Sequence, residues 1–221
     1  DRRHRKVLEE IVQAGAPEEI MYFYKPHIGT DKLKAVVKNI REKIKRLGGQ
    51  VRFNSKVSDI VLDGDAVAGV IINGYDRIET RVVLLAPGHS ARDTFAMLHA
   101  RGVKMVPKPF SVGVRIEHPQ ELIDRAQYKK YAGNEKLGAA DYKLAYHAPN
   151  GRSAYTFCMC PGGVVVAASS EEGCVVTNGM SEYARSGKNA NSALLVGVSP
   201  GDYGSFHPLA GVEFQRHWER K

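Results

Sequence analysis

Residues 29–54, GTDKLKAVVKNIREKIKRLGGQVRFN, restrict the fold more than any other stretch of this chain. Leu33, Val36, Val37, Ile40, Ile44 and Leu47 recur at spacings of three and four, which places them on one face of a helix. Thr30 or Asp31 can cap its first turn, and Gly48 and Gly49 end it. QVRFN then reads as a strand. A helix joined to a strand by a double glycine is the connection found in parallel α/β sheets.

The segments on either side extend this picture. Residues 3–14 read as a short helix stopped by Gly15 and Pro17. KVSDIVLD, AVAGVIIN and RIETRVVLLA come after the double glycine. Gly64-Asp65 joins the first pair and Asn73-Gly74 the second, so a three-stranded antiparallel meander is expected. The third run becomes wholly apolar at VVLLA, which predicts a buried strand. PGHSARDTFAMLHARG reads as a turn and a helix, with Ser90 as its cap. After Gly102 the pattern changes. PKPFSVGVRIEHP has strand character, QELIDRAQY is a short helix, and residues 141–180 are a run of short strands and turns. The fold class expected is α/β in the first lobe and α+β in a second, sheet-rich lobe.

Composition narrows the function less. The 221 residues carry a net charge of +8, which favours anionic partners in general and is equally explained by a solvated basic surface. Basic residues are spread out rather than forming a stripe interleaved with aromatics. No apolar run approaches the ~20 residues that cross a bilayer, and DRRHRKVLEE has no apolar segment of a signal peptide. Both ends read as cut, so a piece of a larger protein is expected. Three cysteines argue against a disulfide scaffold and for a reducing, cytoplasmic setting.

Several motifs are missing. The chain has no GxGxxG, no GxxxxGK[ST] and no HExxH. Cys158-x-Cys160 is too closely spaced for half of a zinc finger, and no metal is expected. The Pro-Gly-Gly next to the cysteines is more informative. Pro161 lacks an amide hydrogen, and Gly162 and Gly163 allow positive φ and leave no side chain in the way. A bend of that kind brings bare backbone close to a flat or anionic ligand, or makes an ordinary tight turn. VVLLAPGHSARD, residues 82–93, is the second candidate: a strand ends at Ala86, turns through Pro87-Gly88 beside His89, and opens a helix whose positive end points to the same place. The third is the polar segment with Asn178, Ser181, Arg185, Asn189 and Asn191, which offers many donors.

The stretches KPHIGTDKLKAVVKNIREKIKRLGGQVRFN, VVLLAPGHSARDTFAMLHARG, KPFSVGVRIEHPQELID, FCMCPGG and NGMSEYARSGKNANSALLV, in this order, resemble a family of bacterial FAD-dependent dehydrogenases. That family is similar to the wider group of flavoproteins built on a glutathione-reductase-like FAD domain. The resemblance implies a partial, Rossmann-like FAD lobe with the meander over residues 1–102, a substrate or flavin-covering lobe over 103–205, and a helix over 206–221 that returns to the FAD lobe. It implies that Ala86, Pro87, Gly88 and His89 pass the FAD, although Pro87 stands where many such enzymes have Thr and so removes a donor. It implies Gly29 and Thr30 near the flavin. Pro161, Gly162 and Gly163 would lie against the isoalloxazine ring with Met159 and Cys160 beside them, and Asn178, Arg185, Asn189 and Asn191 on the substrate side.

The activity implied is hydride transfer between bound flavin and an unknown small molecule, with NAD(P)H as a candidate partner. His89, His147 and Arg185 are the candidates for acid–base work. The family's GxGxxG segment is missing, so this piece alone is expected to hold FAD weakly or not at all. An exposed cut edge would invite a homodimer. Two rival readings stay open: a nucleic-acid-binding module, which rests on charge alone, and a protein-interaction domain of a larger chain.

Overall fold

The computed structural model describes residues 2–221. The chain divides into two compact units, each assembled from separate parts of the sequence. One contains Asp1–Val51, Ser111–Ser169 and Val175–Gly197; the other contains Arg52–Phe110, Ser170–Cys174 and Val198–Lys221.

The first unit begins with helix α1, Arg2–Gln13, a 3-10 turn over Glu18–Met21, and helix α2, Thr30–Arg46. Ala14, Ala16, Ile20 and Val36 form its small core, with Ile11, Ile28 and Ile40 packed against it. Asn39 Nδ2 donates to the Ala14 carbonyl at 2.9 Å and holds α2 to the end of α1. Most of the apolar face expected to be covered is not: Val37 and Leu47 are 58% and 78% exposed, and only Val36 is fully enclosed.

Helix α4 (Gln120–Tyr128) keeps the expected boundaries, and strand β4 (Phe110–Pro119) ends where expected but starts three residues inside the PKPFSVGVRIEHP stretch. The short strands are β5 (Ala145–His147), β6 (Ser153–Cys160), β7 (Val164–Ala167), β8 (Thr177–Met180) and β9 (Asn189–Val198). A four-stranded sheet runs β4-β9-β6-β5, and β7 pairs with β8 in a two-stranded ribbon. The β5–β6, β6–β9 and β7–β8 pairings are antiparallel.

The second unit holds the meander. β1 (Val57–Asp63), β2 (Ala66–Ile72) and β3 (Asp76–Glu79) pair antiparallel in sequence order. The two-residue turn at Gly64-Asp65 and the turn at Asn73-Gly74 sit where the residues demand positive φ, with Gly64 at 58° and Asn73 at 54°. Helix α3, Arg92–Ala100, and helix α5, Ala210–Glu219, complete the unit. Ile60, Val70, Ile72 and Leu98 are buried. Phe110 stacks on Tyr203 at 5.2 Å between centroids, with Phe214 against both.

The architecture is thus mixed α and β, with three small sheets. Several local expectations are corrected. QVRFN is not a strand, nor is VVLLA, where Val82 and Leu84 are 82% and 92% exposed rather than buried. A strand is held by a neighbour's amides and carbonyls, and no described residue ladders with either segment. The parallel pairing expected after the double glycine is accordingly not formed among the described residues. The caps differ too. Gly29, at φ 86°, is the N-cap of α2, while Thr30 and Asp31 bond to residues 181–183. Helix α3 starts after Ala91, and Ser90 supplies a carbonyl to Arg92 N rather than a side-chain cap.

Candidate functional site

The first unit gathers most of the candidate residues around the bend at the end of β6. Cys160 ends the strand, and Pro161, Gly162 and Gly163 turn the chain into β7, all four buried. Gln120, the first residue of α4, accepts a hydrogen bond from Gly162 N through Oε1 at 2.9 Å. Ser181 Oγ donates to the Pro161 carbonyl at 2.7 Å. The Ser181 carbonyl in turn accepts from Thr30 N at 3.1 Å and Thr30 Oγ1 at 3.2 Å. The turn before α2, the Pro-Gly-Gly bend and the segment after β8 are therefore one bonded assembly.

The glycines show why the assembly closes. A Cβ on Gly162 would collide with the Arg185 carbonyl and come within 2.9 Å of Gly187 N. One on Gly163 would lie 2.5 Å from the Met180 carbonyl oxygen, and one on Gly29 2.6 Å from Tyr183 Cα. On that side, these glycines admit the chain's own backbone.

Next to the bend the strands place a polar group. Arg115 Nη1 donates to Asn191 Oδ1 at 2.6 Å and to the Cys158 carbonyl at 3.2 Å. Gly179 lies against the pair: a Cβ there would collide with Asn191 Oδ1 and Arg115 Nη1 and fall 2.8 Å from Cys160 Sγ. Asn191 is fully enclosed, yet its Nδ2 has no hydrogen-bond partner; Arg115 Nε and Arg185 Nε are likewise sheltered and unpartnered. Native interiors leave few such groups unpaired.

The cysteines are secondary to this. Cys158 is exposed at φ 47° where β6 loses register with β9, and Cys160 Sγ donates to its carbonyl at 3.4 Å. Burial pushes the Cys160 thiol up, and the neighbouring Cys158 adds to it. Among the described residues no three His, Cys, Asp or Glu side chains come together to hold a metal ion.

Other candidates stand apart. Asn178 accepts from the amide of its own neighbour Gly179 at 2.8 Å, and Asn189 Nδ2 donates to Glu117 Oε1 at 2.7 Å. Met159, half-buried, lies between the two cysteines on β6. His147 is exposed and bonds Ser153 Oγ through Nδ1 at 2.7 Å. Ala86, Pro87, Gly88 and His89 belong to the second unit, where all four are exposed. Gly88 has φ 78° and open space where a Cβ would go. Arg115, Gln120 and Tyr183 are site residues that sequence reasoning does not single out. An arginine inside the otherwise apolar SVGVRI run is the available signal for the first; the other two join the site through contacts between distant parts of the chain.

The family of proteins described as "FAD-dependent protein, C-terminal domain-like" matches residues 109–221. The chain belongs to that family. An uncharacterized protein of Clostridium beijerinckii is 55% identical over 220 residues, covering 99% of this chain and 41% of the relative. The chain thus spans less than half of that relative's length.

Membership in an FAD-dependent family raises the question of fit. An isoalloxazine ring presents carbonyl oxygens and ring nitrogens along its edges, which take hydrogen-bond donors. The unpartnered donors of Asn191, Arg115 and Arg185 are of that kind. The pyrophosphate end has no glycine-rich cradle in this sequence. Among the described residues no helix is long and apolar enough to cross a membrane.

Proposed function

We propose that this chain contributes the flavin-contacting part of an FAD-dependent oxidoreductase, a dehydrogenase working in the cytoplasm. One observation carries the proposal: the stretch that matches the FAD-dependent family, residues 109–221, contains both the Pro-Gly-Gly bend and the polar segment bonded to it. When bound, FAD would accept a hydride from a small molecule or return one to it. The residues of this chain would place the ring. Gly29, Thr30 and the bend at Met159–Gly163 would form its floor. Asn191 and Arg185 would donate to its polar edge, with Asn178 and Asn189 toward the substrate. In the second unit, Ala86, Pro87, Gly88 and His89 form an exposed bend of their own, the other stretch proposed to pass FAD. In this scheme residues 1–102 and 206–221 serve the FAD lobe and 103–205 cover the flavin. The exposed apolar segments around Val51 and Leu84 would be covered by further chain or by a second copy.

The test is spectroscopic. The protein purified as its host makes it is expected to show a flavin absorbance band that bleaches anaerobically with NADH, NADPH or an oxidisable substrate. Residues 1–221 expressed alone are expected to purify colourless. A colourless full-length protein that takes up no added FAD overturns the proposal, and a yellow 221-residue piece overturns the need for a missing cradle.

A further inference from the structure

The four-stranded sheet has two faces, and the polar assembly around Arg115 and Asn191 uses only one. Successive side chains of a strand point to opposite sides, so Ile116 and His118 of β4 look away from Arg115. Leu194 of β9 and Ala154 and Thr156 of β6 join them. Helix α4 and residues 142–146 border this second face, leaving a hollow of about 530 Å³ that opens to solvent beside Leu144 and Tyr146. That volume lies within the range of small-molecule sites, roughly 300–1,000 Å³.

Its chemistry defines the occupant. No Asp, Glu, Lys or Arg side chain lines the cavity, so nothing there would neutralise a carboxylate, phosphate or ammonium. Most of the wall is aliphatic or aromatic. The Thr156 hydroxyl is committed: it accepts from Leu144 N at 2.7 Å and donates to the Leu144 carbonyl at 3.3 Å. Tyr155 Oη is taken by Ser111 Oγ at 2.5 Å, and Gln127 Nε2 donates to the Asp141 carbonyl at 3.3 Å. Apart from the exposed Tyr146, the polar feature left is a pair, His118 Nε2 and Tyr142 Oη, 2.7 Å apart with ring centroids at 5.6 Å. Burial holds the Tyr142 phenol above its ordinary range, against a hydrogen bond with Ser192, so it is neutral near pH 7. His118 Nδ1 is sheltered from solvent and has no hydrogen-bond partner. A tyrosine hydroxyl has one donor and two acceptor positions, so Tyr142 Oη, bonded to His118 and Ser192, keeps one at the wall of the hollow.

We infer that this cavity is a binding site for a neutral, compact, mainly apolar molecule carrying one hydroxyl or carbonyl oxygen, which the His118–Tyr142 pair receives. The inference stands on the cavity and does not rest on the flavin reading.

Two fluorescent or NMR-visible probes separate its parts: 2-naphthol, which carries the oxygen, and naphthalene, which does not. Both are expected to bind the purified protein, with probe-ring NOEs to the methyls of Ile116, Ile123 and Leu194. Tyr142→Phe is expected to weaken 2-naphthol about 3- to 10-fold, the effect of one hydrogen bond, and to leave naphthalene unchanged. Ala126→Trp on α4, or Ile116→Trp from the sheet, is expected to exclude both. Absence of NOEs to those three methyls overturns the site without recourse to any variant. Equal effects of Tyr142→Phe on the two probes overturn the role given to the polar pair. Unchanged binding in a folded, filled variant places the probes elsewhere and overturns the site as well.

Discussion

Gly162→Ala is expected to lower the stability of the folded protein by about 4 kcal/mol, the sum of ~1–3 for left-handed backbone strain and ~1–3 for overpacking. The position has φ 54°, and the added methyl would meet the Arg185 carbonyl with Gly187 N close behind. Neither atom can withdraw easily. Gly187 itself packs onto the Gly162 backbone, while the bend is anchored by Gln120 and Ser181. Gly88→Ala is the control. Its φ is 78°, but nothing lies within 4 Å of the new methyl, so strain alone applies, about 1 kcal/mol. Thermal or urea denaturation monitored by circular dichroism compares the two. A Gly162→Ala protein no less stable than Gly88→Ala would contradict the packing described.

The second large effect comes from the ion network of the second unit. Arg92 is 9% exposed in its side chain and forks onto Glu219, with Nη1 to Oε2 at 2.9 Å and Nη2 to Oε1 at 2.6 Å. Nη2 also reaches Gln215 at 3.0 Å, and Nη1 lies 3.2 Å from Glu171. Arg216 forks onto Glu171 from the other side, at 2.9 and 2.7 Å. These contacts fasten α3, α5 and the 170–174 segment together. Removing one partner of a sheltered pair strands the other. Arg92→Leu is expected to cost about 3 kcal/mol, the low end of that range, because Glu171 keeps Arg216.

The network also sets an acid limit. The hydrogen bonds from Arg216 lower the Glu171 carboxyl from 4.5 to about 2. A carboxylate whose pKa is depressed in the folded state contributes its stability above its unfolded pKa, and loses it as pH falls toward the folded value. Stability should therefore decline between about pH 4.5 and 2. Glu171→Gln should be less stable at neutral pH and show a flatter decline across that window. Parallel pH profiles for the two proteins would contradict the assignment.

Legibility in the sequence depends on where each bonding partner lies. The helix at Thr30–Arg46, the hairpin turns and the strand–helix pair at 110–128 are legible because their determinants are local: an apolar period, a glycine or asparagine at positive φ, a proline at a helix start. QVRFN and VVLLA read as strands and are not, because strand character needs a ladder partner, which no short stretch can specify. The capping of α2 differs from its reading for a related reason. Thr30 and Asp31 serve residues 181 and 183, some 150 positions away. In the candidate site, the bend at Pro161–Gly163 is legible as a bend, since proline and glycine are the residues that turn a chain so tightly. That Arg185 and Gly187 fill the space beside it is not legible, nor is the pairing of Arg115 with Asn191, because both depend on how β4, β6 and β9 are ordered in the sheet.

The proposal turns on the bend at 159–163 contacting a flavin. Amide hydrogen exchange on the full-length protein, stripped of FAD and then reloaded, tests it most directly. Slowed exchange is expected on reloading at 159–163 and in the segment around Asn191. Unchanged exchange in those segments while the protein still binds FAD would contradict it.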